Sequence, residues 1–133
     1  MGVLTLLVVD AANVVGSVPD GWWRDRRGAA ERLRDRLVPL AAGGLPGYPG
    51  PLDVVLVVEG RARGVEPVPG VRVDEAPGSG DDRMVELAGE AAAAGRRCVV
   101  VTADRELRRR VTAHGASALG PRSVRPAPGA DGP

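Results

Sequence analysis

The chain has 133 residues, a length that fits one domain, and its 18 basic and 17 acidic side chains leave a net charge of +1. This balance excludes an overall basic field that would draw the chain to polyanions. One cysteine and one histidine exclude a disulfide scaffold and argue against a Cys/His zinc site; the thiol, Cys98, is predicted to be an inert core residue. No apolar run approaches the roughly 20 residues that span a bilayer, and no signal peptide is recognisable, so we expect a cytoplasmic domain without membrane contact.

Short, nearly continuous apolar runs predict the strands of a sheet. Val3–Val9, Val54–Val58 and Cys98–Val101 are rich in β-branched residues and too short for helices. Continuous apolarity is typical of parallel strands that are buried on both faces. Val71–Asp74 alternates between apolar and charged residues, which predicts an edge strand, and Ala116–Leu119 is a candidate for one more short strand.

Helical patterns separate these runs. Apolar residues spaced by three and four predict amphipathic helices over Arg24–Ala42, Asp82–Ala94 and Arg105–Ala113, and the Gly/Pro-rich residues 43–51 are predicted to form a surface loop. Strands that alternate with helices imply crossover connections and a parallel sheet. We therefore predict an α/β fold with three layers (α/β/α) and a mainly parallel sheet of four to five strands. This domain is expected over residues 1–122, with a disordered tail over 123–133.

Acidic side chains follow the predicted strands at the edge where open parallel α/β sheets bind their ligands. Asp10 ends the first strand, Glu59 ends the second, and Asp104 follows the third. Asp81 and Asp82 open the helix before the third strand. Crowded carboxylates repel one another, and a hard divalent cation such as Mg²⁺ is their natural partner. Because such ions activate water for attack on phosphate esters, the residues predict a metal-dependent hydrolase.

Several of these residues also have purely structural interpretations. Asp104 stands just before a helix and is a candidate N-cap, and Ser79 with Asp82 resembles a capping box. Asp10 ends a buried strand, where an acid without a partner is costly, and no helix is predicted to begin there. The only asparagine, Asn13, is predicted to lie in the loop after the first strand, where its amide can orient a neighbouring carboxylate.

Taken together, the motifs resemble the NYN domains of the PIN-like nuclease superfamily. The resemblance extends from about Val3 to Leu119 and implies a Mg²⁺- or Mn²⁺-dependent ribonuclease with an acidic cluster at the strand ends. Glu59 is a departure, because many members have an aspartate before the glycine at this point. The segments that carry the resemblance are, in order, Val8–Gly16, Val58–Gly60, Gly80–Glu86 and Val101–Arg105.

Carried over from this family, the catalytic, metal-binding acids are expected to be Asp10, Asp82 and Asp104, with Asn13 as a helper. Asp81 is the alternative to Asp82, which is favoured because Met84 and Val85 then follow at the family's usual offset. Glu59 is a further candidate metal ligand, directly or through water.

Arginines near these acids are candidates for holding a nucleic-acid backbone. Three of them follow Trp22 and Trp23, whose rings can either stack on bases or anchor the loop to the core. The other three lie on the basic helix after Asp104, where a solvated helix face is the alternative. The candidates are Arg24, Arg26, Arg27, Arg105, Arg108 and Arg109.

The predicted function is therefore a ribonuclease, with RNA favoured over DNA by the resemblance alone. One alternative is a non-catalytic RNA-binding or regulatory domain, which the altered acid Glu59 and the near-neutral charge favour. A second is a small phosphatase or nucleotide hydrolase that uses the same acids. The oligomeric state, including a homodimer, stays open.

Overall fold

A five-stranded parallel sheet forms the centre of the molecule, as seen in a computed structural model that describes residues 4–125. The strand order is β5-β4-β1-β6-β7, and each neighbouring pair is parallel, while β2 and β3 form a separate antiparallel hairpin. This confirms the predicted sheet, with β5 at one edge. The strands are β1 (Thr5–Asp10), β2 (Gly44–Leu45), β3 (Tyr48–Pro49), β4 (Leu52–Val58), β5 (Val71–Glu75), β6 (Cys98–Val101) and β7 (Ser117–Leu119).

Helices cover both faces of this sheet and make the fold a three-layer α/β/α structure. Alternate residues of β1 face opposite sides, so Leu7 and Val9 pack with the helices of one layer and Leu6 and Val8 with those of the other. The first layer holds α1 and α2, and the second holds α3 and α4. The predicted fold class is confirmed. The helices are α1 (Ala11–Val15), α2 (Arg26–Gly43), α3 (Gly80–Ala93) and α4 (Arg105–Thr112).

The structure differs from the predictions in three segments. The predicted loop over residues 43–51 contains the β2–β3 hairpin, which forms because Leu45 is buried against the first layer. Helix α1 was not predicted, since five residues are too few to show a helical period. The packed chain passes the expected boundary at residue 122, because Val124 is buried in the core and Arg125 donates to the Val15 carbonyl at 3.1 Å. Residues 126–133 of the predicted tail lie outside the described residues.

Cys98 lies in the second core layer, as predicted, and burial raises the pKa of its thiol to about 11. A thiol with this pKa stays protonated at neutral pH and is a poor nucleophile. Among residues 4–125, every helix is too short or too polar to cross a membrane.

Candidate functional site

Asp10 occupies the carboxyl end of the central strand and is almost completely buried, with 7% of its surface exposed. One carboxylate oxygen accepts the Asn13 backbone N–H at 3.2 Å, so Asp10 is the N-cap of α1. The other accepts the Thr102 hydroxyl at 2.9 Å. Both carboxylate oxygens are thus paired inside the protein, which fixes the orientation of the group.

The protonation of Asp10 is unusual. Burial raises the pKa of this carboxyl to about 6, against an ordinary value of 3.8. The hydrogen bonds from Thr102 and Asn13 lower the pKa, and the negative charges of Asp81 and Glu59 raise it further. The charges of two acids, Asp81 and Glu59, therefore act on Asp10 across the sheet edge.

Thr102 contacts the acids of this site, and the sequence interpretation did not single it out. It is fully buried one residue beyond β6, and its hydroxyl donates to Asp10 while accepting the Asp104 N–H at 3.2 Å. The register of β1 and β6 pairs Val8 with Val100 and Val9 with Val101, so the next step brings Asp10 and Thr102 side by side. The sequence did carry one signal for Thr102, because it is the first polar residue after the apolar run of β6.

Asn13 also links the segment after β1 to the segment after β6. Its side-chain oxygen accepts the Ala103 N–H at 2.8 Å. The prediction that it lies in a loop and that its amide orients a carboxylate is wrong in detail: the residue lies in α1, and its backbone N–H, not its amide, bonds to Asp10. The amide instead fixes the β6–α4 connection against the start of α1, and so helps to position Asp104.

The first turn of α3 places its two aspartates differently. Asp81 is half-buried; burial raises its pKa, and so do the charges of Asp104 and Glu59. Asp82 is mostly exposed and forms an ion pair with Arg110 at 2.9 Å. The structure therefore does not support the preference for Asp82: it brings Asp81 to the other acids and turns the Asp82 carboxylate toward a cation on α4.

Glu59 and Asp104 complete the group. Glu59 accepts the backbone N–H of Gly80 at the start of α3. A Cβ at Gly80 would lie 2.8 Å from the Glu59 carboxylate oxygen, so a larger residue here would require the flexible end of Glu59 to move. Asp104 is the N-cap of α4, as its structural interpretation predicted, and accepts the Leu107 N–H at 2.9 Å while its charge acts on Asp81.

We refer to these four carboxylates together as the acidic edge: Asp10, Glu59, Asp81 and Asp104. Within residues 4–125, no three His, Cys, Asp or Glu side chains are arranged as a ready-made metal cage. Mg²⁺ is typically held by one or two carboxylates and keeps several waters, so it does not need such a cage. The donor set contains only oxygen ligands, which suits Mg²⁺ or Mn²⁺ in its chemistry.

Asp53 lies away from the acidic edge, and its carboxylate is paired with arginines. It lies at the amino end of β4 and forms ion pairs with Arg72 at 2.8 Å and Arg96 at 2.6 Å. Although burial raises the pKa of Asp53, the hydrogen bonds from these arginines bring it below the ordinary value. Asp53 is compensated by two arginines, whereas the carboxylates of the acidic edge form no ion pair within residues 4–125.

A pocket of about 320 Å³ adjoins the acidic edge. It is enclosed by residues just after β1, by the start of α2 and by the turn after β4. Trp22 lines it and also packs against the core, so the anchoring interpretation holds for this ring, while Trp23 is 50% exposed. We call this cavity the Trp22 pocket; its walls include Ala12, Trp22, Arg26, Glu59, Arg61 and Ala62.

The predicted nucleic-acid-binding arginines of the first loop and α2 differ in their contacts. The guanidinium of Arg26 lies 5.2 Å from the centre of the Trp22 ring, and that of Arg24 lies 5.7 Å from Trp23. Arg27 instead pairs with Glu31 at 3.7 Å.

On α4, Arg108 donates to the Ala118 carbonyl at 3.2 Å and Arg109 is paired with Glu106. Arg105 is exposed and has no ion pair within the described part of the chain. Arg61, which the sequence interpretation did not single out, lines the Trp22 pocket and is also exposed.

The overall fold is similar to that of solved structures. The crystal structure of Rae1 (YacP) from Bacillus subtilis aligns with a TM-score of 0.73 and 20% identity, over 90% of this chain and 71% of that chain. The chain has the fold of Rae1. A tryptophan-to-leucine mutant of Rae1 gives a TM-score of 0.68 at 20% identity, over 91% of this chain and 72% of that one. No family model and no curated protein matches the sequence.

Proposed function

We propose that the protein is a metal-dependent nuclease that hydrolyses RNA, and that it is an NYN-type member of the PIN-like superfamily. The observation that carries the proposal is the acidic edge, in which Glu59 and Asp81 act on the buried Asp10, and Asp104 acts on Asp81. The motifs that resemble NYN domains contain these acids. The Rae1-like α/β/α fold agrees with the fold that the resemblance implies.

The proposed cofactor is Mg²⁺ or Mn²⁺, held directly by one or two of Asp10, Asp81 and Asp104, with the remaining acids and Glu59 reaching it directly or through water. When bound, the ion supplies activation of water and stabilisation of the departing oxygen. Burial raises the pKa values of Asp10 and Asp81, and the charges of neighbouring acids raise them further; this supports the assignment, because a bound dication would favour the ionised carboxylates.

The chain's own residues position these ligands. The Thr102 hydroxyl and the Asn13 backbone N–H hold the Asp10 carboxylate from two sides, and Thr102 also accepts the Asp104 N–H. Such contacts around metal ligands fix their orientation, and losing one costs about 10- to 100-fold in metal affinity or activity. We assign Thr102 and Asn13 this positioning role.

The arginines that we propose for the RNA backbone are Arg24, Arg26, Arg61 and Arg105. Each is exposed and has no ion pair within residues 4–125, so its charge is available to a phosphate. Arg27 and Arg109 are already paired with acids and are weaker candidates. The preference for RNA over DNA continues to rest on the resemblance to NYN domains.

The test is cleavage of an end-labelled single-stranded RNA in Mg²⁺, in Mn²⁺ and in EDTA. We expect cleavage that requires the metal and that falls by more than about 100-fold in Asp10→Asn and Asp81→Asn, since each removes a proposed ligand. Asp82→Asn is the matched control, because it changes the neighbouring acid that faces Arg110; we expect its rate to stay within about threefold of wild type.

Two results would contradict the proposal. Wild-type protein that binds RNA without metal and never cleaves it would identify a binding or regulatory domain. Release of phosphate from small phosphate esters, with RNA left intact, would identify a phosphatase or nucleotide hydrolase. Equal losses in Asp81→Asn and Asp82→Asn would reject our choice of ligand while leaving the nuclease in place.

A further inference from the structure

The Trp22 pocket has the size and the lining of a small-molecule site. Its volume of about 320 Å³ lies at the lower end of the range typical of ligand pockets, which begins near about 300 Å³. Ala12 and Ala62 give it small apolar walls, and Trp22 gives it an aromatic wall. A flat apolar group fits such a lining better than a charged one does.

Charge determines which part of a nucleotide this pocket would accept. The Glu59 carboxylate lines the pocket, and it repels a phosphate in the absence of a metal ion. Arg26 and Arg61 also line it, both exposed and without an ion pair in the described part of the chain, so they attract a phosphate at the rim. A nucleotide is therefore best accommodated with its base inside and a phosphate at the arginines.

We propose that the Trp22 pocket binds one unpaired nucleobase of the RNA substrate, beside the phosphate that is cleaved. The inference rests on the proposed function for its substrate. Continuity with the acidic edge supports it: Glu59 belongs to both, and the pocket residues Ala11 and Ala12 directly follow Asp10. Stacking of a base on an aromatic side chain is tolerant of sequence, so the pocket selects single-stranded RNA without reading one particular base.

The test blocks the pocket without touching the acids. Ala12 is exposed and lies in α1, so Ala12→Leu adds a side chain to the pocket wall at little cost to the helix. The matched control is Ala92→Leu, an exposed helical alanine of α3 that is not part of the pocket. Ala62→Leu blocks the pocket from a second wall and decides the outcome if Ala12→Leu unfolds.

Binding is measured in EDTA, where RNA remains uncut, from the anisotropy of a fluorescein-labelled single-stranded RNA. We expect Ala12→Leu and Ala62→Leu to weaken binding by about tenfold, as for the loss of one stacked base, and Ala92→Leu to bind as wild type does. In a Trp23→Leu background, where Trp22 is the remaining tryptophan, we expect RNA to quench the Trp22 fluorescence. The same RNA with abasic sites should not quench it, because it has no base to stack.

Unchanged RNA affinity in both pocket variants would overturn the inference. So would a pocket that binds nucleoside 5′-monophosphates while RNA fails to compete with them, because the site would then belong to free nucleotides. The proposed function fails separately. If wild-type protein never cleaves RNA with metal but RNA binding still depends on Ala12, the base pocket stands and the nuclease does not.

Discussion

Replacing Asp10 with asparagine is expected to stabilise the folded protein at neutral pH. The carboxylate of Asp10 is buried and lies near other acids, and these conditions raise its pKa to about 6. Ionising it in the folded state therefore costs free energy that the unfolded chain does not lose. Asparagine is neutral and has a similar shape, so Asp10→Asn removes this cost.

The magnitude follows from the pKa of Asp10. Raising it from 3.8 to about 6 corresponds to about 3 kcal/mol of lost stability at pH 8, and to about 1.5 kcal/mol at pH 5. Asparagine offers one acceptor oxygen where the carboxylate offers two, and the altered contact with Thr102 costs about 1 kcal/mol. The net gain for Asp10→Asn is then about 2 kcal/mol at pH 8 and close to zero at pH 5.

The direction of the pH dependence shows whether the stability gain comes from the raised pKa of Asp10 or from a change in packing. A raised pKa means that the folded state binds the proton more tightly, so the contribution of Asp10 to wild-type stability is highest below about pH 4 and is lost as the pH rises through 6. Asp10→Asn lacks this loss. Urea unfolding of both proteins in EDTA at pH 5 and pH 8 measures it. A variant that is less stable than wild type at pH 8, or a difference that does not change with pH, would refute the reasoning.

Three further substitutions have expected outcomes in the same unfolding assay. Thr102→Val removes the hydroxyl that pairs with one of the two Asp10 carboxylate oxygens and accepts the Asp104 N–H, so we expect a loss of about 1–2 kcal/mol at pH 8 that is smaller at pH 5; a loss independent of pH would contradict this. Asp53→Asn should destabilise by about 1.5 kcal/mol at pH 7, because its lowered pKa gives stability that is lost only as the pH falls below about 4. Gly80→Ala meets the flexible end of the Glu59 side chain, which can move aside, and alanine favours the helix, so we expect the stability to change by less than about 1 kcal/mol; a loss above about 2 kcal/mol would contradict this.

The layers of the fold and the position of Asp10 were predictable because they depend on strand burial. Runs such as Val54–Val58 are apolar throughout, since both faces of the sheet are covered, and the parallel arrangement then places Asp10 and Glu59 at one edge. Every residue of such a run is apolar, so its burial can be predicted from the sequence. The edge strand over Val71–Asp74 was identified for the converse reason, because its alternation reflects partial exposure.

The choice between Asp81 and Asp82 could not be made from the sequence. Neighbouring residues of an α-helix differ by about 100° in direction, so the side that each faces depends on where the helix begins. The predicted start at Asp82 was two residues late, because Ser79 caps the helix and Gly80 is its first residue. Gly80 also leaves room for the carboxylate of Glu59, a contact between distant parts of the chain.

The contacts of Thr102 and of the arginines could not be predicted either, because they depend on how the folded chain is arranged. Thr102 is important because β6 lies beside β1, and strand order is not visible in one sequence. Arg108 and Arg109 look equivalent on the basic helix, yet one bonds to the Ala118 carbonyl and the other pairs with Glu106. Such differences depend on neighbours that only the folded chain supplies.

The most direct test of the account is a crystal structure grown with Mn²⁺, in which anomalous scattering locates the ion. We predict Mn²⁺ at the carboxyl ends of β1 and β6, contacting Asp10, Asp81 or Asp104 directly or through water. An ion held by Asp82 or by acids elsewhere, or a crystal in millimolar Mn²⁺ with no ion at the acidic edge, would contradict the claim that these carboxylates form one metal site.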